Sequence, residues 1–450
     1  MPVQNKGFGL LFEMGTGKTL ASIAIFGRLY LDGFASRVLI VAPASVCSVW
    51  EEELEAAAAF PYRIALLQGT KQKRLKALAE LIADQADALK VAVINYESTY
   101  RDGLFDALKD FDADLIICDE SQRIKNFKAR QSKAMHELGD LARFKMILSG
   151  TPVQQNAMDL WSQYRFMDRT IFGDKYYSFR ARYAVMGGFE NRQVIALKHK
   201  DELIAKEYER AYRVTKDEAL DLPEQIFTRR VIELEPKAAA VYKEIKKNAY
   251  AELNSGDRVT APTVLTKMLR LQQITGGFLQ TEEAEKPTPI SDAKLTALSD
   301  IIEDYCETEG KKLVVFVRFI PEVSHIRRML EKKGINYRML YGEIKDSDRG
   351  QAVKDFQEDE SVKVMVAQIQ CAGLGITLTA ASTCVYYSVD FNYANYQQSL
   401  ARIHRAGQKN ACQYIHLVCK NTIDSYVLKA LEKKKDIATD IVDGWREIFK

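Results

Sequence analysis

Short, nearly continuous apolar runs rich in valine, isoleucine and leucine alternate with longer amphipathic stretches over residues 7–156. Such runs are typical of parallel strands that are buried on both faces of a sheet. The stretches between them have helical spacing and few residues that break helices. The pattern predicts an α/β domain with strands at residues 8–12, 38–42, 91–95, 115–119 and 146–149.

The same alternation returns late in the chain and predicts a second α/β domain, with strands at residues 313–317, 339–341, 364–367, 384–387 and 414–418. The segment between the two domains is mostly helical in pattern, and residues 281–292 are acidic with two prolines, which predicts a linker. We therefore expect an N-terminal lobe at 1–156, a mostly helical insertion and linker at 157–290, a C-terminal lobe at 291–430 and a helical tail at 431–450.

Composition narrows the class of protein. The 450 residues include 64 Lys plus Arg and 61 Asp plus Glu, a formal net charge of +3, and 47% are hydrophobic. These values exclude wholesale disorder and a histone-like excess of positive charge. Seven scattered cysteines without a C-x-x-C pair argue against a disulfide framework or a zinc module. With no long apolar run and no signal-peptide core, we expect a cytoplasmic protein that does not enter a membrane.

The sharpest local signal lies between the first predicted strand and the first predicted helix. Glycines there let backbone N–H groups wrap a phosphate chain at a helix N-terminus, a lysine can reach the β- and γ-phosphates, and a hydroxyl can bind Mg²⁺. The strict pattern has another glycine where this chain has Phe12. The residues of this predicted phosphate loop are Gly15, Thr16, Gly17, Lys18 and Thr19.

Two further motifs follow strands of the first domain. Asp119 and Glu120 end an apolar strand, so their carboxylates point to the crevice where parallel sheets bind ligands. Asp119 is expected to hold Mg²⁺ and Glu120 to orient or deprotonate an attacking water. Ser149 and Thr151 follow the next strand, and their hydroxyls are candidates for sensing the nucleotide near the acidic pair.

A fourth signal lies in the second domain. Gln398, Arg402 and Arg405 are spaced i, i+4 and i+7, which would place them on one face of a helix. Surface arginines are usually partners of salt bridges. An arginine supplied from a second domain can instead contribute about 10³–10⁵ in rate to phosphoryl transfer.

Taken in order, the motifs resemble those of the Swi/Snf-like branch of the superfamily 2 helicase-type ATPases, which are DEAD/DEAH-box-like motors. The resemblance runs from about residue 7 to about residue 418, and CDESQRIKN and the final RIHRAGQ indicate the Swi/Snf branch. The motifs are EMGTGKT at 13–19, APASVCSVWEEEL at 42–54, CDESQRIKN at 118–126, LSGTPVQQN at 148–156, QCAGLGITLTAA at 370–381 and DFNYANYQQSLARIHRAGQ at 390–408.

The resemblance implies an α/β fold of two RecA-like parallel-sheet lobes that bind ATP and Mg²⁺. It implies nucleotide binding at the phosphate loop, metal binding at Thr19 and Asp119, and water activation at Glu120. Gln398, Arg402 and Arg405 would complete the site, with Arg405 as the arginine finger. Gly373 and Gly375 would let the backbone approach ATP or DNA, and Gln122, Ser149 and Thr151 would couple the site to the rest of the motor.

The expected activity is ATP-dependent translocation along duplex DNA, gripped through its backbone, by a monomeric motor of bacterial or phage type with protein partners supplied in trans. Two alternatives stay open. The first is a strand-separating helicase, although no wedge hairpin is evident in residues 157–280. The second is a DNA-binding protein with an impaired ATPase, because the family's adenine-reading segment lies upstream of the phosphate loop and Gln4 is too close to the loop for that role.

Two further features of the sequence bear on coupling between the lobes and on contacts with nucleic acid. The family usually has histidine where this chain has Gln122, which predicts altered coupling between the lobes because an amide can still donate and accept hydrogen bonds. Four basic residues of the middle segment are candidates for contacts with nucleic-acid phosphates, namely Arg229, Arg230, Lys246 and Lys247.

Overall fold

The computed structural model describes residues 6–154, 156–187, 193–254, 261–280, 286–344 and 346–442. The chain forms two compact units, one of residues 1–221 with 434–450 and the other of residues 222–433. Each unit has its own parallel sheet, so the predicted fold class of two α/β lobes is confirmed.

The first unit is built on a parallel sheet of seven strands among the described residues, in the order β3-β4-β2-β5-β6-β1-β9, beside the antiparallel hairpin β7–β8. The strands are β1 (Lys6–Phe12), β2 (Arg37–Ala42), β3 (Tyr62–Leu66), β4 (Leu89–Asn95), β5 (Leu115–Asp119), β6 (Phe144–Leu148), β7 (Ala184–Gly187), β8 (Gln193–Leu197) and β9 (Ala211–Val214). The helices are α1 (Lys18–Leu31), α2 (Cys47–Ala57), α3 (Lys71–Ala83), α4 (Leu104–Asp110), α5 (Arg130–Leu141), α6 (Asp159–Met167), α7 (Arg169–Phe172), α8 (Tyr176–Tyr183), α9 (Lys200–Tyr208) and α10 (Lys216–Ala219).

Helices cover both faces of this sheet, which explains the continuous apolar runs in its inner strands. In β2, Val38 and Ile40 face a core that includes Phe26 of α1. Leu39 and Val41 alternate with them and face the opposite core, which α3 to α6 cover. A strand buried on both faces needs an apolar side chain at nearly every position.

The first unit extends well beyond residue 156, where the sequence pattern placed its end. Helix α6 is part of its core, since Trp161, Tyr164 and Phe166 are 5%, 0% and 1% exposed. Strand β9 completes the sheet by pairing with β1. Residues 157–221 therefore belong to the first unit rather than to a separate insertion.

The second unit is built on a parallel sheet of six strands among its described residues, in the order β10-β17-β16-β13-β15-β14. The strands are β10 (Gln225–Ile232), β11 (Phe278–Leu279), β12 (Thr288–Pro289), β13 (Lys312–Val317), β14 (Tyr337–Leu340), β15 (Val364–Gln368), β16 (Ala381–Tyr386) and β17 (Cys412–Cys419). The helices are α11 (Pro236–Asn254), α12 (Ala261–Thr275), α13 (Ala293–Ile302), α14 (Ile320–Lys333), α15 (Asp346–Glu358), α16 (Tyr393–Leu400) and α17 (Ile423–Val442).

The second unit also departs from the predicted boundaries. It begins at Leu222, because β10 pairs along its length with β17, and it ends at Lys433 within helix α17, past the predicted boundary at 430. Part of the predicted linker pairs as β12 with β11. On β10, Arg229 and Arg230 form ion pairs with Glu432 and Asp300, so these arginines are already engaged within the unit.

No helix among the described residues is long and apolar enough to cross a membrane. The seven cysteines are buried as free thiols.

An aromatic stack in the second unit holds a buried histidine. The His416 ring on β17 stacks on Tyr386 of β16 at a centroid distance of 4.7 Å and an interplanar angle of 10°. Its Nε2 atom lies 3.0 Å from the hydroxyl of Tyr396. Burial is the main cause that lowers the pKa of His416 to about 4, and the charge of Arg229 adds to it. The ring is therefore neutral in the folded protein at neutral pH.

The pKa of His416 predicts how stability depends on pH. The unfolded chain takes up the proton first, so stability that is complete above pH about 6.5 is lost as the pH falls toward 4. We expect the free energy of unfolding to fall by about 2 kcal/mol between pH 6.5 and pH 5 from this residue. Urea unfolding of the wild type and of His416→Gln at both pH values measures this change in the free energy of unfolding. Equal pH dependence in the two proteins would show that His416 does not contribute.

Candidate nucleotide site

The predicted phosphate loop connects β1 to α1 in the first unit. Gly15 and Gly17 have φ values of 84° and 86°, in the left-handed region that favours glycine. Gly17 caps α1, and the Thr16 hydroxyl donates to the Glu13 carbonyl at 2.8 Å. Backbone N–H groups at the start of a helix bind anions, so this loop has the geometry of a phosphate site.

Lys18 and Thr19 lie in the first turn of α1. The Lys18 ammonium donates to the carbonyls of Phe12 and Glu13 at 2.9 and 3.2 Å, so it reaches back across the loop. Phe12 stands where the usual pattern has its first glycine, and it is the last residue of β1. Its ring meets that of Tyr212 edge to face, with 6.2 Å between the ring centroids. The side chain at position 12 therefore packs beside the sheet.

Asp119 ends β5 and is only 6% exposed. Its Oδ2 atom accepts from the Trp50 indole N–H at 3.0 Å, and its Oδ1 atom accepts from the Glu120 backbone N–H at 2.9 Å. Burial raises the pKa of the Asp119 carboxyl to about 6, the charge of Glu120 adds to the rise, and the Lys18 ammonium opposes it. A buried carboxylate that can accept further bonds and is costly to ionise alone fits a site for a hard divalent cation.

A hydrogen-bonded network extends from the acidic pair to the next strand. The Gln122 side-chain amide donates to the Glu120 carboxylate, and its carbonyl accepts from the Ser149 hydroxyl at 2.7 Å. The Ser149 oxygen in turn accepts from the Thr151 backbone N–H at 3.1 Å. Gln122 and Ser149 are 5% and 0% exposed. The side chains of Gln122 and Ser149 thus form one hydrogen-bonded network with Glu120, which Thr151 joins only through its backbone, since its hydroxyl has no hydrogen-bond partner among the described residues.

The order of strands explains why these motifs meet. Strand β6 lies between β5 and β1, with Leu148 in register with both Asp119 and Leu10. Gly150, just after β6, approaches the loop so closely that a Cβ atom there would lie 3.3 Å from the Phe12 carbonyl oxygen and from the Met14 nitrogen. The residues after β6 therefore bridge the acidic pair and the phosphate loop.

The remaining predicted site residues lie in the second unit, and one prediction about them is wrong. Helix α16 includes Gln398 but ends at Leu400, so Arg402 and Arg405 lie in the turns that follow and do not continue a helical face. The helix ends there because the Arg402 N–H bonds to the Ser399 carbonyl, a tighter turn than an α-helix makes.

Two backbone carbonyls of the segment QCAGLGITLTAA, at residues 370–381, hold both arginines in place. Arg402 is 8% exposed and donates to the Ile376 carbonyl at 3.1 Å. Arg405 is more exposed and donates to the carbonyls of Ile376 and Gly375 at 3.3 and 3.5 Å. Gly375 has a φ of 73°, which suits glycine at this turn. The guanidinium groups are thus positioned together by one backbone segment.

Three functional residues carried no assigned role from the sequence. Trp50 belongs to a quoted motif, but a single tryptophan gives no sign that its indole binds Asp119. Gln408 donates to the carbonyls of Ala381 and Ile403 at 2.9 and 3.1 Å and so fixes the end of the segment at residues 390–408 that holds the arginines. Arg213 lies on β9, and its contacts with the loop depend on a strand pairing that the sequence pattern did not reveal. Gln4 lies outside the described residues.

In the first unit, a phosphate loop lies beside an acidic pair at the end of a parallel strand. The second unit has its own parallel sheet and holds two arginines. These features define a two-lobed, helicase-type nucleotide-binding protein. The SNF2-related domain matches residues 3–276, and the helicase conserved C-terminal domain matches residues 293–407. The chain belongs to the SNF2-related family. The Swi/Snf-like resemblance read from the motifs is confirmed.

Curated relatives have similar sequences over nearly the whole chain. An uncharacterized ATP-dependent helicase of Mycoplasma pneumoniae is 26% identical over 97% of this chain and 40% of its own length. The Caenorhabditis elegans homolog of SWI/SNF-related matrix-associated actin-dependent regulator of chromatin subfamily A-like protein 1 is 28% identical over 94% of this chain and 58% of its own length. The chain therefore spans 40% to 58% of the length of these two relatives.

Among solved structures, the Sulfolobus solfataricus SWI2/SNF2 ATPase core in complex with dsDNA is 28% identical, with a TM-score of 0.43 over 98% of this chain and 89% of that chain.

Proposed function

We propose that this chain is a nucleic-acid-dependent ATPase that uses ATP hydrolysis to move along duplex DNA without separating its strands. The observation that carries the proposal is the buried network from Glu120 through Gln122 to Ser149, which links the acidic pair to the strand end beside the phosphate loop. A binding site for nucleotide alone would not need such a connection. Family membership supports the same activity.

The roles of the residues follow from their chemistry. The loop amides and Lys18 bind the phosphates, and Thr19 and Asp119 supply the oxygen ligands that suit Mg²⁺. When bound, Mg²⁺ neutralises charge on the phosphates and orients them. Glu120 orients and deprotonates the attacking water. Arg402 and Arg405 supply positive charge that stabilises the transition state.

Basic residues in the first unit support binding to a nucleic-acid backbone. They follow the carboxyl ends of β3, β4 and β5, which all lie at one edge of the sheet, and they are Lys71, Arg74, Arg101 and Arg123, the last of which also pairs with Glu97 at 3.6 Å. The Arg74 guanidinium donates a hydrogen bond to the side-chain oxygen of Asn95 at 2.9 Å. Burial and the nearby charge of Arg101 lower the pKa of Arg74, so a phosphate at this edge would relieve repulsion between the two cations. Contacts of this kind recognise the backbone rather than the base sequence.

Displacement of a third strand from a DNA triplex tests translocation directly. A motor that tracks along the duplex removes the third strand only when ATP is present, whereas a protein that merely binds DNA does not. We expect displacement by the wild type and none by Lys18→Ala. Hydrolysis of ATP without displacement would contradict translocation.

One observation favours strand separation as a second candidate function. Strands β7 and β8 pack on the core of the first unit through Met186 and Val194, while Ile195 of β8 is 62% exposed and offers an apolar side chain that could separate base pairs. Unwinding of a forked duplex, lost in Ile195→Asp while ATP hydrolysis continues, would favour this alternative. We expect no unwinding, because the proposed motor tracks along intact duplex.

Gln122→Ala is expected to reduce the stimulation of ATP hydrolysis by duplex DNA by about fivefold or more, while basal hydrolysis is largely retained. The substitution removes the link between Glu120 and Ser149, and coupling between sites is typically worth about 1–3 kcal/mol. The ratio of rates with and without DNA measures it. Gln122→His is the matched control, because an imidazole can donate to one partner and accept from the other. An unchanged ratio in Gln122→Ala would show that this network does not carry the coupling.

A further inference from the structure

Arg213 of β9 is a buried arginine aimed at the base of the phosphate loop. Its side chain is 4% exposed. The guanidinium donates to the Leu11 carbonyl at 2.9 Å, to the Glu13 carboxylate at 2.8 Å and, more weakly, to the Gly150 carbonyl at 3.4 Å. One side chain thus binds the end of β1, the first residue of the loop and the turn after β6.

Glu13 is held by the β9 segment at three points. Besides the ion pair with Arg213, its second carboxylate oxygen accepts from the Lys216 backbone N–H at 2.9 Å. Its own backbone N–H donates to the Val214 carbonyl at 2.9 Å. Both ends of this residue are therefore fixed by chain that is about 200 residues away in sequence.

Glu13 also supports the loop from within. Its carbonyl accepts from the Thr16 hydroxyl at 2.8 Å and from the Lys18 ammonium at 3.2 Å. A shift of Glu13 would therefore move one of the two carbonyls that position Lys18, the other being that of Phe12. Hydrogen bonds therefore connect Arg213 through Glu13 to Lys18, which is expected to bind phosphate.

The segment that holds Glu13 is also the last part of the first unit before the chain enters the second. After Lys216 the chain forms α10, which begins with a capping box between Thr215 and Glu218, and the unit ends at Asp221. A capping box fixes the start of a helix by two reciprocal hydrogen bonds. The loop is thereby attached to the segment that leads directly to the connection between the units.

We propose that Arg213 is a positioning residue for the phosphate loop, which it holds through Glu13 and ties to the segment that leads into the second unit. The inference rests on the proposed ATPase function and adds a residue far from the known motifs. An arginine suits the position because its planar fork can bind a carboxylate and carbonyls at the same time, which a lysine ammonium on a flexible stem does less well.

The test compares Arg213→Met, Arg213→Lys, Glu13→Gln and the Arg213→Met/Glu13→Gln double variant. The matched control is Arg165→Met, because Arg165 forms a two-point ion pair with Asp140, at 2.8 Å for both bonds, away from the loop. Four quantities are measured: the Kd of a fluorescent ATP analogue, the KM and the kcat of hydrolysis, and the Tm without nucleotide.

We expect Arg213→Met and Glu13→Gln to raise Kd and KM tenfold or more, and the double variant to lose less affinity than the sum of the two single variants because both break the shared ion pair. Arg213→Lys should recover part of the affinity. Arg165→Met should lower the Tm as much as Arg213→Met does, without changing Kd. Unchanged Kd and KM in folded Arg213→Met and Glu13→Gln would overturn the proposal.

The readouts separate this inference from the proposed function. If the wild type binds the analogue but hydrolyses no ATP, the proposed function fails and Kd still decides the role of Arg213. If the wild type hydrolyses ATP and the variants keep its Kd and KM, the role of Arg213 fails alone. Absence of nucleotide binding by the wild type would overturn both.

Discussion

Glu120→Gln is expected to lower the kcat of ATP hydrolysis by about 10²–10⁴-fold, the usual contribution of a general base, with little change in nucleotide affinity. The amide keeps the shape of the side chain and can still accept from Gln122, so the buried network survives while the base is lost. Single-turnover hydrolysis and the Kd of a fluorescent ATP analogue separate the two effects.

Glu53→Gln is the matched control for this substitution, because Glu53 is an exposed glutamate on α2, and its kcat should equal that of the wild type. A Glu120→Gln protein with wild-type kcat would assign water activation to another residue. A variant that no longer binds nucleotide would instead indicate that Glu120 holds the phosphates or the metal.

Arg405→Ala is expected to reduce kcat by about 10³–10⁵-fold, the range found when an arginine finger is removed. Nucleotide binding to the first unit should persist, because its phosphate loop and acidic pair are untouched. Arg405 is the better test than Arg402. The Arg402 side chain is almost fully buried, and its loss would leave buried backbone unpaired and disturb the fold.

The control for Arg405→Ala is Lys409→Ala, which removes an exposed positive charge four residues further along the chain. Arg405→Lys should recover only part of the rate, because lysine keeps the charge without the fork. Loss of rate in Lys409→Ala to the same extent would point to a general effect of charge rather than to an arginine finger.

The inner strands of both sheets could be predicted because they are buried on both faces and are therefore apolar throughout. The edge strands β3, β9 and β10 could not. In β10, Phe227 and Val231 are 49% and 62% exposed, and arginines lie between them. A strand with one neighbour and a solvated face carries a mixed pattern, which resembles a loop. The observed domain boundaries differ from the predicted ones for this reason, because β9 belongs to the sheet of the first unit and β10 to the sheet of the second.

The residues of the candidate site could likewise be predicted only in part from the sequence. Contiguous motifs placed Lys18 at the start of a helix and Asp119 and Glu120 at the end of a strand, because the chemistry of each motif is local in sequence. The spacing of Gln398, Arg402 and Arg405 predicted one helical face, and the early end of α16 shows that spacing alone does not establish a helix. The contacts of Trp50 and Arg213 join segments far apart in sequence, so only the folded sheet reveals them.

The central claim is that nucleic acid controls hydrolysis, and steady-state ATP hydrolysis by the purified chain tests it most directly. The rate is measured without nucleic acid and then with single-stranded DNA, duplex DNA and duplex RNA, with Glu120→Gln in parallel. We predict strong stimulation by duplex DNA that disappears in the variant. A chain that binds duplex DNA but hydrolyses no ATP under any of these conditions would contradict the motor and leave a DNA-binding protein in its place.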